Sequence, residues 1–387
     1  IRSFPQARNG IPNPAYDGGK GFRPVGAIST HQVDAGERCQ GNNNCVPLCP
    51  VQAKYHAGKT LSKALQTGRV DILTQAVASR IHIDPDNGRV TRIEFKHYKD
   101  PDSGDHESAS VNAKLFVLAA NAIENARLML ASDLKSSSGL VGKNLMDHAY
   151  LLTWGLMPEV CGTMRGTNVT GGIVDLRGGS FRKDQAAFAV DIHNDGWGWA
   201  AGSPMSDLNM LVDERNKFGK DLRKALIDQV SRQLLLAFMV EVLPEHDNCV
   251  SVDPRYTDQL GNMRPVVNYT IPDYTMKAIV YARHLSKLFF QRLGVEDYTN
   301  YDPGDYGHVA YEGEGYNIRG GNHLAGTHIM GTSSKSSVVN SQQQSWDHEN
   351  LYLVGGGSMP TIGTANITPT IAALCYRSAE HMIAQLS

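Results

Sequence analysis

Two groups of residues in this chain have the types and spacing of a reaction centre. Cys39, Cys45 and Cys49 form a C-x5-C-x3-C-P run in a stretch rich in glycine and asparagine, where thiolates can converge on one point without helical restraint. Three soft ligands with no evident fourth suit a cuboidal iron–sulfur cluster lacking one iron, [3Fe-4S]; with His56 as a fourth ligand the set would suit tetrahedral zinc. Spacing alone also leaves open free thiols, or a disulfide plus one thiol.

The second group lies near the other end. Gly321-Asn-His323-Leu-Ala-Gly-Thr327-His-Ile-Met-Gly331 sets a histidine among glycines, where backbone can approach a planar ligand and the imidazole can project into a pocket. Asn366 sits just ahead of Thr368-Pro369. Oxidising an alcohol requires a base for the hydroxyl proton while hydride leaves the carbon, and a neutral imidazole fits that task. An amide donor beside it can hold the same oxygen. His328 is a local rival, because His328-Ile-Met-Gly331-Thr332 repeats the H-x-x-G-T spacing, and a histidine in a glycine-rich loop can equally be structural.

The elements that must position these groups are partly legible. Residues 1–60 read as a long loop carrying the cysteines. Short β-rich runs at Ile72–Thr74 and Arg80–Ile83, the turn Asp84–Gly88 and the run Val90–Phe95 predict an antiparallel meander. Leu115–Ala119 reads as a buried strand, followed by a helix over Ala122–Ser132 capped by Asn121. Helical stretches are expected near Lys217–Phe238 and Asp273–Leu293. At the C-terminal end, Leu351–Val354 predicts a strand and Gly355–Gly357 a tight turn. A helix should then follow with Thr368 as N-cap, Pro369 at its first position, and apolar residues at 371, 374, 375, 379, 382, 383 and 386. This order suits an anionic or electron-rich cofactor at the helix N-terminus. The expected division is a loop region at 1–60, a discontinuous cofactor domain at 61–150 and 336–387, and a substrate domain at 151–335.

Composition narrows the classes. The chain has 387 residues, 41% hydrophobic and 20% charged, with 37 basic and 39 acidic residues for a net charge of -2. A substantial core is affordable in size, and nothing attracts the chain electrostatically to nucleic acid or anionic lipid. The longest apolar run, Leu234–Val240, is well short of the roughly 20 residues of a membrane-spanning helix. Cys161, Cys249 and Cys375 are isolated and read as core thiols.

Taken together, these motifs resemble one family. His323-x-x-Gly326-Thr327-x-x-Met330-Gly331, followed by Met359-Pro-Thr361 and Asn366-x-x-Pro369-Thr370, resembles the C-terminal signature of the glucose–methanol–choline (GMC) oxidoreductases. Val117–Arg127 is similar to the family's strand–helix segment beside the flavin, and Val141-Gly-Lys-Asn-Leu-Met-Asp-His148 to its G-x-N-L-x-D-H motif. The register of the signature favours His323 over His328. The cysteine run resembles that of the bacterial branch containing FAD-dependent glucose, gluconate, fructose and sorbitol dehydrogenases, which bind a [3Fe-4S] cluster there.

The resemblance implies an α/β and α+β fold: a Rossmann-like FAD-binding domain plus an antiparallel-sheet substrate domain. It implies hydride transfer from a sugar, sugar acid or polyol to FAD, with electrons relayed through the cluster to a cytochrome c subunit or another acceptor, and a small escort subunit accompanying the protein to the periplasm. His323 and Asn366 would be catalytic. Ala78 would lie in the strand near the adenine, and Gly355, Gly356, Asn366 and Thr368 would line the flavin. Asn322 would bind a substrate hydroxyl or serve as a turn residue. Asp147 and His148 would fix a loop. The family's G-x-G-x-x-G pyrophosphate loop is expected upstream of Ile1, so that the chain reads as part of a longer protein, and Gly355 stands where many members have Asp. Competing readings are an alcohol oxidase using O2 and a non-enzymatic metal or electron-transfer module.

Overall fold

The computed structural model describes residues 2–3, 49, 52, 55–134, 136–164, 168–197 and 205–387. Cys39 and Cys45 lie outside the described residues. The chain divides into two compact units: one of residues 1–71, 150–240 and 276–319, the other of 72–149, 241–275 and 320–387. Residues 241–275 and 320–335, which the sequence grouped with 151–335, thus pack in the second unit.

The first unit is built on an eight-stranded sheet. Its order runs Arg2–Ser3, Val169–Ile173, Phe188–His193, Gln233–Val240, Ala149–Leu156, Glu314–Gly320 and His308–Tyr311, with Glu296–Asp297 also pairing Ala149–Leu156. Gln233–Val240 lies antiparallel to Phe188–His193, and Leu235 to Val240 are almost wholly buried. The helix expected to reach Phe238 therefore ends early, as Gly219–Ser231. A run apolar on every side cannot keep the polar face a surface helix needs, but it suits a strand covered on both faces. The helix Asp273–Leu293 forms as expected.

The second unit holds every candidate residue outside the cysteine loop and His56. Ala76–Ile83, Val90–Tyr98 and His106–Val111 form the antiparallel meander; Ile72 and Leu73 are exposed and precede its first strand. Phe116–Leu118 pairs in parallel with Leu351–Leu353. Its alternate residues Phe116 and Leu118 are buried while Val117 is 44% exposed, so this strand packs one face and is not buried throughout as expected. Ile81, Val90, Phe116, Leu118, Leu128, Met129, Val338, Val339, Leu351 and Leu353 form one core. Asn350 joins meander to parallel pair: its side chain accepts the Val90 N–H and donates to the Val90 carbonyl, both at 2.8 Å.

Asn121 caps Ala122–Ala131, its side chain accepting the N–H groups of Ile123 and Glu124. The last helix, Thr368–Leu386, has Ile367 as N-cap, without a side-chain cap, and Thr368 as its first residue. Thr368 is thus not the cap. Ser378 is the buried residue of this helix, while Ile383 and Leu386 are exposed, so the expected apolar stripe is only partly covered. Cys161 is exposed, and Cys249 and Cys375 are partly buried, so these are not deep core thiols. No helix among the described residues is long and apolar enough to cross a membrane.

Candidate active site

Three sequence segments run together in the second unit. Met146 and Ala325 exchange main-chain hydrogen bonds at 3.0 Å, Gly142 N–H donates to Thr327 at 2.7 Å, and Gly321 N–H to His148 at 3.0 Å, so residues 142–148 lie against 321–327. Beyond it, His328 and Met330 donate main-chain N–H groups to Gly357 and Ser358 at 2.9 and 2.8 Å. The approach demands glycine at one point. Gly326 has φ 90°, and a Cβ there would stand 2.0 Å from the Asn144 carbonyl oxygen, so any larger residue would push the strands apart.

His323 is held by both its backbone and its ring. Asp147 Oδ1 accepts the His323 N–H at 2.7 Å and Oδ2 the Asn322 N–H at 3.2 Å. Two successive amides converge on one carboxylate because Asn322 takes φ 57°, a left-handed conformation that asparagine tolerates better than most residues. Asn322 is exposed and lies in a bend of the backbone. Burial raises the Asp147 pKa, with the two amides and His323 opposing that effect.

The His323 imidazole is partly buried, and its Nδ1 lies 2.8 Å from Nδ1 of His148. The rings meet edge to face, with centroids 4.9 Å apart and planes at 88°. The Asn366 side chain hydrogen-bonds the same imidazole, and burial lowers the His323 pKa against the raising effects of Asp147 and Asn366. The two residues singled out for chemistry, distant in sequence, are therefore brought into contact. A neutral ring is the form that can accept a proton.

His328 occupies a different environment. It is fully buried, Asn125 Nδ2 stands 3.2 Å from its Nε2, and Gly357 packs so closely that a Cβ there would come within 2.2 Å of the ring. Burial pushes its pKa down to about 3. A ring sealed in this way cannot reach a substrate. Asn125 also donates to the carbonyls of Leu118 and Val354 at 3.1 Å, tying the parallel strands together through one amide.

The other candidates surround this pair in varied ways. Gly355 has φ 101° with open space where a Cβ would stand. Gly356 is buried, and a Cβ on it would meet the Leu324 carbonyl at 2.4 Å. Thr368 and Asn366 are exposed at the start of the last helix. Ala78 is partly buried in the first meander strand and pairs with Phe95. Of the metal candidates Cys49 is described and partly buried, and His56, the possible fourth ligand for zinc, is described and exposed. Among the described residues no group of three His, Cys, Asp or Glu side chains could hold a metal ion.

Sequence reasoning assigned His148 to loop fixing and did not foresee its ring on His323. The available signal was its place at the end of the G-x-N-L-x-D-H run, beside an Asp with a complementary task.

Comparison with known proteins identifies the family. Residues 21–150 and 244–375 match the N- and C-terminal family profiles of the GMC oxidoreductases, together more than half of the chain. The chain is 31% identical to the fructose dehydrogenase large subunit of Gluconobacter japonicus, covering 99% of this chain and 62% of that protein. It is 27% identical to 2-methyl-1,2-propanediol dehydrogenase of Mycolicibacterium austroafricanum (82% and 55%) and 26% to paromamine 6'-oxidase of Streptomyces fradiae (93% and 61%). The chain thus spans about three-fifths of the length of these relatives. Its fold is similar to pyridoxine 4-oxidase from Mesorbium loti, with TM-score 0.54 at 17% identity over 84% of this chain and 60% of that one. It is likewise similar to formate oxidase of Aspergillus oryzae, with TM-score 0.55 at 14% identity over 80% and 60%. Two family profiles, relatives aligned along nearly the whole chain and a shared fold lead to one conclusion: this chain belongs to the GMC oxidoreductase family.

Proposed function

We propose that the chain is the catalytic part of an FAD-dependent dehydrogenase acting on a hydroxyl of a sugar, sugar acid or polyol. The observation that carries this reading is the contact of His323 with Asn366 beside an open helix N-terminus. A neutral His323 accepts the hydroxyl proton, and the Asn366 amide can hold the oxygen that loses it. The relatives named as dehydrogenases of fructose and of a propanediol support hydroxyl oxidation and favour polyhydroxy substrates.

The residues present fit a flavin. The helix Thr368–Leu386 has no side-chain cap and no acidic residue in its first turn, so its positive end is free to face electron-rich groups. Gly355 leaves its Cβ position open, which permits close approach of a planar ring. Flavin, when bound, supplies the two-electron acceptor for the substrate C–H. Gly355, Gly356, Asn366 and Thr368 would line its ring side and Ala78 the strand near its adenine.

The C-x5-C-x3-C-P spacing supports a [3Fe-4S] cluster on Cys39, Cys45 and Cys49 that carries electrons away. On this reading the electrons leave to a cytochrome c subunit, and a small escort subunit accompanies the protein to the periplasm; the relative named as a large subunit supports multi-subunit assembly. Rapid mixing of the full-length, flavin-loaded protein with fructose, gluconate, sorbitol and simple alcohols tests the reading. Bleaching of the flavin by a sugar or polyol, with slow reoxidation by O2 and fast reoxidation by a cytochrome, is expected. Fast reoxidation by O2 would instead identify an oxidase, and no bleaching by any hydroxyl donor would overturn the proposal.

A further inference from the structure

We propose that His148 is a positioning residue that fixes the tautomer of His323, placing the proton on His323 Nδ1 and the basic lone pair on Nε2. The inference rests on the functional reading of His323, but its geometric basis is separate. His148 is 1% exposed, and both of its ring nitrogens are engaged. Nε2 lies 3.0 Å from the Gly363 carbonyl oxygen, and the Ile362 carbonyl also faces the ring. A carbonyl can only accept, so Nε2 must carry the proton. Burial and the neighbouring His323 pull the His148 pKa down to about 4, so at neutral pH the ring is uncharged and its Nδ1 is a bare lone pair.

That lone pair lies 2.8 Å from His323 Nδ1. Two lone pairs at this distance repel, and one proton between them bonds. Because His148 has no second proton to give, His323 must supply it. The opposite assignment, with the proton on His148 Nδ1, would leave His148 Nε2 unprotonated against the Gly363 carbonyl oxygen in a buried place, which is costly. The chain from Gly363 through His148 to His323 therefore has one self-consistent proton arrangement.

The arrangement has a chemical consequence. When a substrate O–H bond breaks and its proton forms a bond to Nε2, His323 becomes an imidazolium whose Nδ1–H already points at an acceptor, and that hydrogen bond strengthens with the charge. A carboxylate in the position of His148 would stabilise the cation more and hold the ring protonated at higher pH. A neutral imidazole orients the base while leaving its pKa low. His148 also joins the two loops that carry the pair, since His323 belongs to one and Gly363 lies shortly before Asn366 in the other.

The test uses full-length protein with its flavin and ¹⁵N-imidazole-labelled histidine, read by long-range ¹H–¹⁵N correlation, with His323 signals assigned by their loss in His323→Gln. Wild-type protein should show His323 with Nδ1 protonated and Nε2 unprotonated, and His148 with the reverse. In His148→Asn the side-chain oxygen can take the place of Nδ1 as acceptor, so the His323 tautomer should persist and flavin reduction stay within a few-fold. In His148→Leu the tautomer preference should be lost and flavin reduction by substrate should fall roughly 10- to 100-fold. A wild-type His323 protonated at Nε2 would overturn the proposal, as would an unchanged tautomer in His148→Leu. Should the leucine variant fail to fold, the wild-type and asparagine spectra decide. A protein with the expected tautomer that oxidised no sugar or polyol would uphold the role of His148 and refute the substrate reading instead.

Discussion

The Asp147 carboxylate holds His323 by its main chain, Oδ1 accepting the His323 N–H at 2.7 Å, while the next residue, His148, meets the ring. Adjacent residues thus divide the work, one fixing where the loop sits and the other how its imidazole turns. Asp147 can do this because the 142–148 segment is hydrogen-bonded along the 321–327 segment. Gly320 must remain small beside it, since a Cβ there would lie 2.7 Å from Asp147 Oδ2.

Replacing Asp147 by Asn leaves one oxygen where two amides need acceptors and turns an NH2 group toward one of them. Hydrogen bonds to a charged group contribute about 1.5–3 kcal/mol, so a loss of this order in unfolding free energy is expected, read as a lower denaturant midpoint. Flavin reduction should also slow as His323 loses its backbone anchor. An unchanged midpoint together with an unchanged rate would show that the carboxylate holds nothing.

The two histidines of the 321–331 segment should separate cleanly. His323→Ala should slow flavin reduction by roughly 10² to 10⁴, the usual contribution of a positioned general base. Asn366→Ala should cost less, because the base remains. His328→Ala should act on stability, leaving a hole beside Gly357 and Asn125, while folded protein reduces its flavin at nearly the normal rate. Equal rate losses for His323→Ala and His328→Ala would mean that the sealed ring takes part after all.

The contrast between these histidines also shows what a sequence discloses. Register alone preferred His323, and burial supplies a physical reason, yet nothing in H-x-x-G-T spacing says that one ring faces outward and the other into a core. The cap Asn121 and the helix Asp273–Leu293 were legible because local chemistry determines them. Gln233–Val240 was not, since an apolar run fits a helix end or a central strand until its partners are known. The His148–His323 contact was hidden for a similar reason: it forms across distant residues, and its meaning depends on a carbonyl at Gly363 that no side-chain motif encodes.

Three grouped cysteines with no evident fourth ligand lead to an expected content of about three irons per chain of full-length protein. Zinc in place of iron would refute that assignment. Cys45→Ser should abolish electron transfer to a cytochrome while leaving reduction of the flavin by substrate largely intact. If both half-reactions survive unchanged, the cysteines are not a relay.

Acid should weaken the second unit through its buried histidines. His148 and His328 have pKa values pulled from 6.5 to about 4 and about 3, in both cases chiefly by burial, with His323 adding to the effect at His148. Below pH 6.5 the unfolded chain takes up protons that the folded rings refuse. Their contribution is therefore fully present above pH 6.5 and is lost as pH falls through the folded values. At 1.36 kcal/mol per unit, each ring accounts for a loss of about 3 kcal/mol between pH 6.5 and 4. Asp147 works in the opposite sense: its raised pKa lets the folded state take up a proton before the unfolded chain does, so between that raised value and 3.8 it offsets part of the histidine loss. Denaturant titrations from pH 7 to 4 should show unfolding free energy falling steadily. In His148→Asn, which has no titrating ring at that position, the fall should shrink by about 3 kcal/mol. Stability that held level or rose on acidification would contradict the neutral, buried state of both rings. A slope unaltered in His148→Asn would contradict it for His148 alone.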